Sequence, residues 1–172
     1  MSCTVSHVCE ARSSVLLSKA KVGVVHSGRY VCGDAGTYYT KIIDKKTSHG
    51  KTYLILSNTL NGFFHPSVAL MVEGNSDGIP KPYEPMYIKP DASPISVLNG
   101  STVKETVTLA GNLCTSADLV KKDITLNKCD VGDILSFGNA GCYSYVLTPV
   151  QVASQTPPSQ IFVHEDGTLT ER

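Results

Sequence analysis

Apolar and polar residues alternate with a period of two over much of this chain, the pattern of strands with one buried face. The clearest run is Val103-Lys104-Glu105-Thr106-Val107-Thr108-Leu109-Ala110, whose β-branched residues reinforce the strand reading. Lys51 to Leu56 reads as a strand in a hairpin with the segment before it, across the polar turn Lys45 to Gly50. Tyr30 to Asp44 is rich in Tyr, Thr and Ile and is interrupted at Asp34-Ala35-Gly36, where a bulge or sharp bend is expected. Asn61-Gly62 marks a turn, and Asn99-Gly100 predicts a hairpin between Ile95–Leu98 and the strand that begins at Val103. Asp133–Phe137 and Tyr143–Leu147 read as a further hairpin about Asn139-Ala140-Gly141, and Gln160–His164 as a last strand.

Few segments carry a helical period. Val8 to Ala20 places Val8, Ala11, Val15, Leu16 and Ala20 near one face of a short helix, although its Ser-Ser pair is a poor helix interior. Val22–Val25 then reads as a buried strand ended by the turn His26–Arg29, and Ser116 as the cap of a single helical turn through Lys122. From Gly74 to Pro94 the chain is proline-rich, with Met86-Tyr87-Ile88 as a short edge strand, because proline is excluded from central ladders. Strands recurring between turn signals predict an all-β barrel or sandwich with a short N-terminal helix and a long proline-rich loop.

Composition narrows the partners more than the fold. At 172 residues the chain is one domain's worth, long enough to bury about 70% of the surface its unfolded form exposes. Fifteen basic and fifteen acidic residues cancel without long runs of either sign, which argues against nucleic acid and against a polybasic membrane patch. No stretch approaches a membrane span, and the start lacks the pattern of a signal peptide. Six cysteines without C-x-x-C or zinc spacing fit a reducing, cytoplasmic setting, and the five scattered histidines give no metal site. Gly74-Asn75-Ser76-Asp77-Gly78 has the form G-x-S-x-G, but the prolines after it leave no helix for a nucleophile elbow. Asn99-Gly100-Ser101 is a formal glycosylation sequon better explained as a turn.

The stretch that asks for chemistry is Gly111-Asn112-Leu113-Cys114-Thr115-Ser116-Ala117-Asp118, a thiol among small and polar residues where a strand ends and a loop begins. Taken alone, such a cysteine is usually inert core.

Three segments in order change that weighting: HSGRYVCGDAGTYYTKIID from His26, GNLCTSADLVKKD from Gly111, and CDVGDILSFGNAGCYSYVLTPVQ from Cys129. Together, from about Val22 to about Asp166, they resemble the C-terminal β-barrel domain of the pyridoxal-phosphate-dependent (fold type III) decarboxylases, the diaminopimelate, ornithine and arginine decarboxylase family. The resemblance implies a Greek-key-like barrel over 22–172, with residues 1–21 as a remnant of the last helix of a (β/α)8 barrel. In that family the (β/α)8 domain carries the cofactor-binding lysine, and the β domain completes the active site across a dimer interface. The chain is therefore expected to be a fragment or split subunit working with a homodimeric or hetero-partner that brings the lysine, the cofactor being pyridoxal 5'-phosphate.

By the same resemblance Cys114 is the cysteine that directs protonation after carbon dioxide departs, a task suited to a thiol whose pKa is easily tuned. Arg29 and Tyr143 match residues at the cofactor's phosphate, for which a guanidinium fork and a phenol are sound donors. Asp118 matches an aspartate at the subunit interface; read without the family, it is a first-turn helix residue favoured by the dipole. Three departures matter. His26 stands where relatives have the glutamate that keeps the pyridine nitrogen protonated, and Thr115 where enzymes acting on diamino acids carry Glu or Asp. His65-Pro66 with Ala69 replaces the Arg-Pro and tyrosine of diaminopimelate enzymes, so that diacid is not the expected substrate. The alternative that His26 and Thr115 motivate is a non-catalytic pseudoenzyme or binding module that associates with a decarboxylase or its regulator. A truncated product with no selected role is a third reading.

Overall fold

The computed structural model describes residues 3–7, 31–74 and 93–172. The expected helix Val8–Ala20, strand Val22–Val25, most of the proline-rich loop, and the positions of His26 and Arg29 lie outside them. Among the described residues nine strands form one strongly curved sheet: β1 (Cys3–His7), β2 (Gly36–Ser48), β3 (Lys51–Leu56), β4 (Ile95–Val97), β5 (Lys104–Ala110), β6 (Leu119–Asn127), β7 (Ile134–Phe137), β8 (Ser159–Val163) and β9 (Leu169–Glu171). The helix α1 (His65–Gly74) lies between β3 and β4.

β2 is the spine. Its first half pairs with β1 through Cys3↔Tyr39 and with β7 through Tyr39↔Ser136, and its second half pairs with β3 from Ile42↔Leu56 to Ser48↔Lys51. β3 continues into β5 in parallel and β5 into β6, while β7 continues into β4. The seam between those two arms is stitched after β4, where Ser101 N donates to Lys128 O at 3.0 Å and Lys128 N to Val103 O at 2.7 Å. The result is a nearly closed barrel, from which β1, β8 and β9 extend as a side wing off β2.

The barrel core follows from the period-two pattern. Tyr38 and Ile42 from β2, Leu54 and Leu56 from β3, Val107 and Leu109 from β5, and Leu135 and Phe137 from β7 are buried together. Each such side chain contributes about 1.5–3 kcal/mol by leaving water. Alternation breaks at Thr108, which is buried between two buried neighbours; its Oγ1 accepts from Asp123 N at 3.3 Å where the β5–β6 register shifts and Asp123 adopts φ 50°.

Several local expectations give way to tertiary pairing. Asn99-Gly100 is not a hairpin turn: β4 pairs with β7, and β5 sits between β3 and β6. The buried face of β5 finds its complement in Leu54 and Leu56, which the three-residue β4 cannot supply. The helical turn expected from Ser116 to Lys122 is replaced by β6, which starts at Leu119 and so also removes the helix-dipole reading of Asp118. Tyr143–Leu147 forms no strand. Ser144 Oγ donates to Ala140 O at 2.7 Å and Thr148 Oγ1 to Ser144 O, so side-chain hydroxyls take the carbonyls a ladder would need, and Tyr145–Leu147 closes into a 3-10 turn. The strand β2 runs on to Ser48, which shrinks the Lys45–Gly50 turn to His49-Gly50, both at positive φ. Neither α1 nor β1 was expected. Pro66 near the start of α1 and Gly74 at its end are a legible helix signature.

Candidate functional site

Strand directions decide which loops meet. β3 and β5 are parallel, and β7, antiparallel to the same β2 that β3 opposes, runs with them. Their C-terminal ends therefore deliver residues 57–64, 111–118 and 138–156 to one end of the barrel, where β2 also begins. Cys114, Thr115 and Asp118 are in the second of these loops and Tyr143 in the third; the other two expected site residues, Arg29 and His26, are outside the described residues.

The loop of Cys114 is held from below by Asp118. This carboxylate is buried, at 3% exposure, and accepts from Thr59 Oγ1, from Leu60 N at 3.0 Å and from Leu113 N at 2.9 Å. Its own backbone closes the loop, since Gly111 N donates to Asp118 O at 2.8 Å and Asp118 N to Thr115 O at 3.1 Å. Glycine is required at 111 because a Cβ there would collide with Thr59 Oγ1 and the Asp118 carboxylate. Cys114 and Thr115 stand exposed at the tip, with Thr115 Oγ1 accepting from Ala117 N at 3.2 Å.

The three loops interlock. Asn58 O accepts from Tyr38 Oη at 2.7 Å and Thr40 Oγ1 at 2.9 Å, and Asn58 Nδ2 donates to Thr156 O at 3.2 Å. Phe64 N donates to Thr148 Oγ1 at 3.3 Å, tying the entry of α1 to the third loop. His65 is buried beside the rings of Phe63 and Phe64, with centroids 6.2 and 5.7 Å away.

Tyr143 is half-buried with φ 56°, a left-handed backbone that costs an aromatic residue about 1–3 kcal/mol and that persists at functional turns. Around it, Gly138 N donates to Pro94 O, Ala140 N to Gly36 O and Gly141 N to Gly33 O, each at 2.9 Å. A phenol is by its chemistry a suitable phosphate donor. Gly36 and Gly141 touch backbone to backbone, leaving no room for a Cβ on either.

Of the remaining thiols, Cys129 is buried at the opposite end, and burial pushes it above its ordinary 9.0 despite the pull of Lys45. The sequence reading missed Thr59 and the part played by Asp118 in the loop. No local signal points to Thr59, whose partner lies 59 positions away. Among the described residues, no helix is long and apolar enough to cross a membrane.

Residues 29–141 match the family model described as the pyridoxal-dependent decarboxylase C-terminal sheet domain. The L-glutamyl-[BtrI acyl-carrier protein] decarboxylase of Niallia circulans is 29% identical over 138 residues, covering 80% of this chain and 30% of that protein. A diaminopimelate decarboxylase of Methanothermobacter thermautotrophicus is 28% identical over 138 residues, covering 80% of this chain and 28% of that protein. The chain thus spans about a third of the length of the curated relatives it matches. In fold it resembles the diaminopimelate decarboxylase of M. jannaschii, with TM-score 0.65 and 22% identity over 84% of this chain and 28% of that one. Lysine decarboxylase from Selenomonas ruminantium is similar at TM-score 0.57 and 20% identity, over 81% of this chain and 31% of that one.

Proposed function

We propose, from the premise that this chain belongs to the pyridoxal-dependent decarboxylase C-terminal sheet domain family, that it completes the active site of an amino-acid decarboxylase whose cofactor lysine lies on a separate barrel domain. The observation that carries this reading is the exposed thiol of Cys114 on a braced loop, at the same barrel end as the left-handed Tyr143.

In this reading Cys114 is the catalytic residue of the chain and handles the proton at the carbon that loses carbon dioxide. Tyr143, with Arg29, binds the phosphate of pyridoxal phosphate. When bound, that cofactor supplies the electron sink that decarboxylation needs. Thr115 carries no charge, so the substrate has no distal ammonium to pair with at this position, and Asp118 is held inside its own loop instead of reaching outward. His26, standing where relatives carry a glutamate, cannot act as a formal anion toward the pyridine nitrogen. The partner is a lysine-bearing barrel, from a second copy or another chain, and the setting is cytoplasmic.

Mixing the chain with such a barrel and pyridoxal phosphate should give cofactor absorbance and carbon dioxide release. Cys114→Ala should then slow release by about a hundredfold, the scale of a lost general acid. A rate untouched by that change sinks the assignment. The uncharged, exposed Thr115 also favours a second reading, a non-catalytic module on a decarboxylase or its regulator; that reading predicts a complex whose formation ignores the cofactor.

A further inference from the structure

We infer that the Thr59–Asp118 pair is a latch that positions Cys114, making Thr59 and Asp118 positioning residues; for its bearing on turnover this rests on the proposed role of Cys114. The argument begins with acceptor geometry. Three donors converge on one buried carboxylate: Thr59 Oγ1 and Leu60 N on Oδ1, and Leu113 N on Oδ2. Two of them belong to the loop after β3 and the third is the residue immediately before Cys114. No neutral side chain meets that demand, because an amide in the same place would present an NH2 to one of the N–H groups. Among the described residues the carboxylate is therefore where hydrogen bonds tie the 57–62 loop to the 111–118 loop. Gly111 N and Asp118 N close the loop on itself, so its remaining freedom is a rigid swing about the latch. The loop after β3 is in turn clamped to the core by Asn58 O, which accepts from both Tyr38 and Thr40. A path of hydrogen bonds and peptide links thus runs from the buried face of β2 to Leu113, the residue before Cys114.

Two variants of the 172-residue chain separate a latch from general support. Hydrogen exchange of Asp118→Asn and Thr59→Val should show the Leu60, Gly111 and Leu113 amides opening by about tenfold, with Ile42 on β2 and Lys128 at the barrel seam unchanged. Thr59→Ser, which keeps the hydroxyl, should restore protection. Parallel loosening of all these amides, or continued protection of Leu113 in Thr59→Val, would overturn the latch, and Thr59→Val keeps the test open should Asp118→Asn fail to fold. In the assembly with a lysine-bearing barrel, Thr59→Val should lower kcat about tenfold at unchanged KM, as expected when a group acting in the transition state is misplaced. Unchanged kcat with an opened loop would also overturn it. If the native assembly releases no carbon dioxide, the proposed function fails, and the exchange result still decides the latch.

Discussion

Cys114 takes its place from neighbours it does not touch in sequence. Its thiol is exposed, yet its loop rests on the buried Asp118, and that arrangement depends on the absence of one carbon atom at Gly111. Gly111→Ala should therefore cost about 1–3 kcal/mol, the scale of overpacking a buried site, because the new methyl displaces Thr59 or the carboxylate. Chemical denaturation reads this as a lower midpoint with unchanged slope; a midpoint equal to that of the parent would show that the loop yields freely. The loop position of Cys114 was legible from its surroundings of small and polar residues. Asp118 was legible as a position but not as a latch, since its donors come from a loop that no local pattern connects to it.

At the scale of elements, the barrel wall opposite the site carries its own brace. Lys45 on β2 donates to Glu105 on β5 at 2.8 Å, to Cys129 O at 2.8 Å and to Asp130 at 3.2 Å. Burial lowers the affinity of Lys45 for its proton, but the hydrogen bonds and charges of Glu105 and Asp130 outweigh it, so the ammonium titrates above 10.5. Cys129 is raised above 9.0, burial being the main cause. Both groups hold protons more tightly folded than unfolded. Their stabilisation is complete below those ordinary values and is lost as pH climbs through the raised ones, so stability should fall on the alkaline side from about pH 9 upward. Lys45→Met should cost about 1–2 kcal/mol at neutral pH, by thermal melting, and should flatten the steepest, most alkaline part of that fall. An alkaline limb unaltered by the substitution would assign the fall to other groups.

For the whole molecule, the wing and the barrel are joined in the described residues by one ladder. β1 pairs antiparallel with β2 and parallel with β8, and β9 pairs only with β8. Removing residues 1–7 should free the β8–β9 hairpin while leaving the barrel core intact, seen as fast amide exchange and proteolysis within 159–171 beside unchanged protection of Leu54 and Leu109. Loss of protection throughout would show that the wing supports the barrel itself. The loops after β3, β5 and β7 gather at one end because β3 and β5 are parallel, a relation that no turn residue announces. Parallel neighbours need a long connection, and the 57–103 segment with α1 provides it.

What the amino-acid order determined by itself was local: the period-two strands β2, β3, β5, β7 and β8, the loop position of Cys114, and the motifs of the decarboxylase sheet domain. These depend on neighbours a few residues apart, whose preferences survive in any fold. Tertiary structure alone decided that β4 joins β7 across the Asn99-Gly100 signal, that Tyr143 sits in a left-handed turn instead of a strand, and that Thr59 meets Asp118. In each case a weak local preference met a larger demand, a buried apolar face seeking its complement or a buried carboxylate seeking donors, and the larger free energy chose the partner.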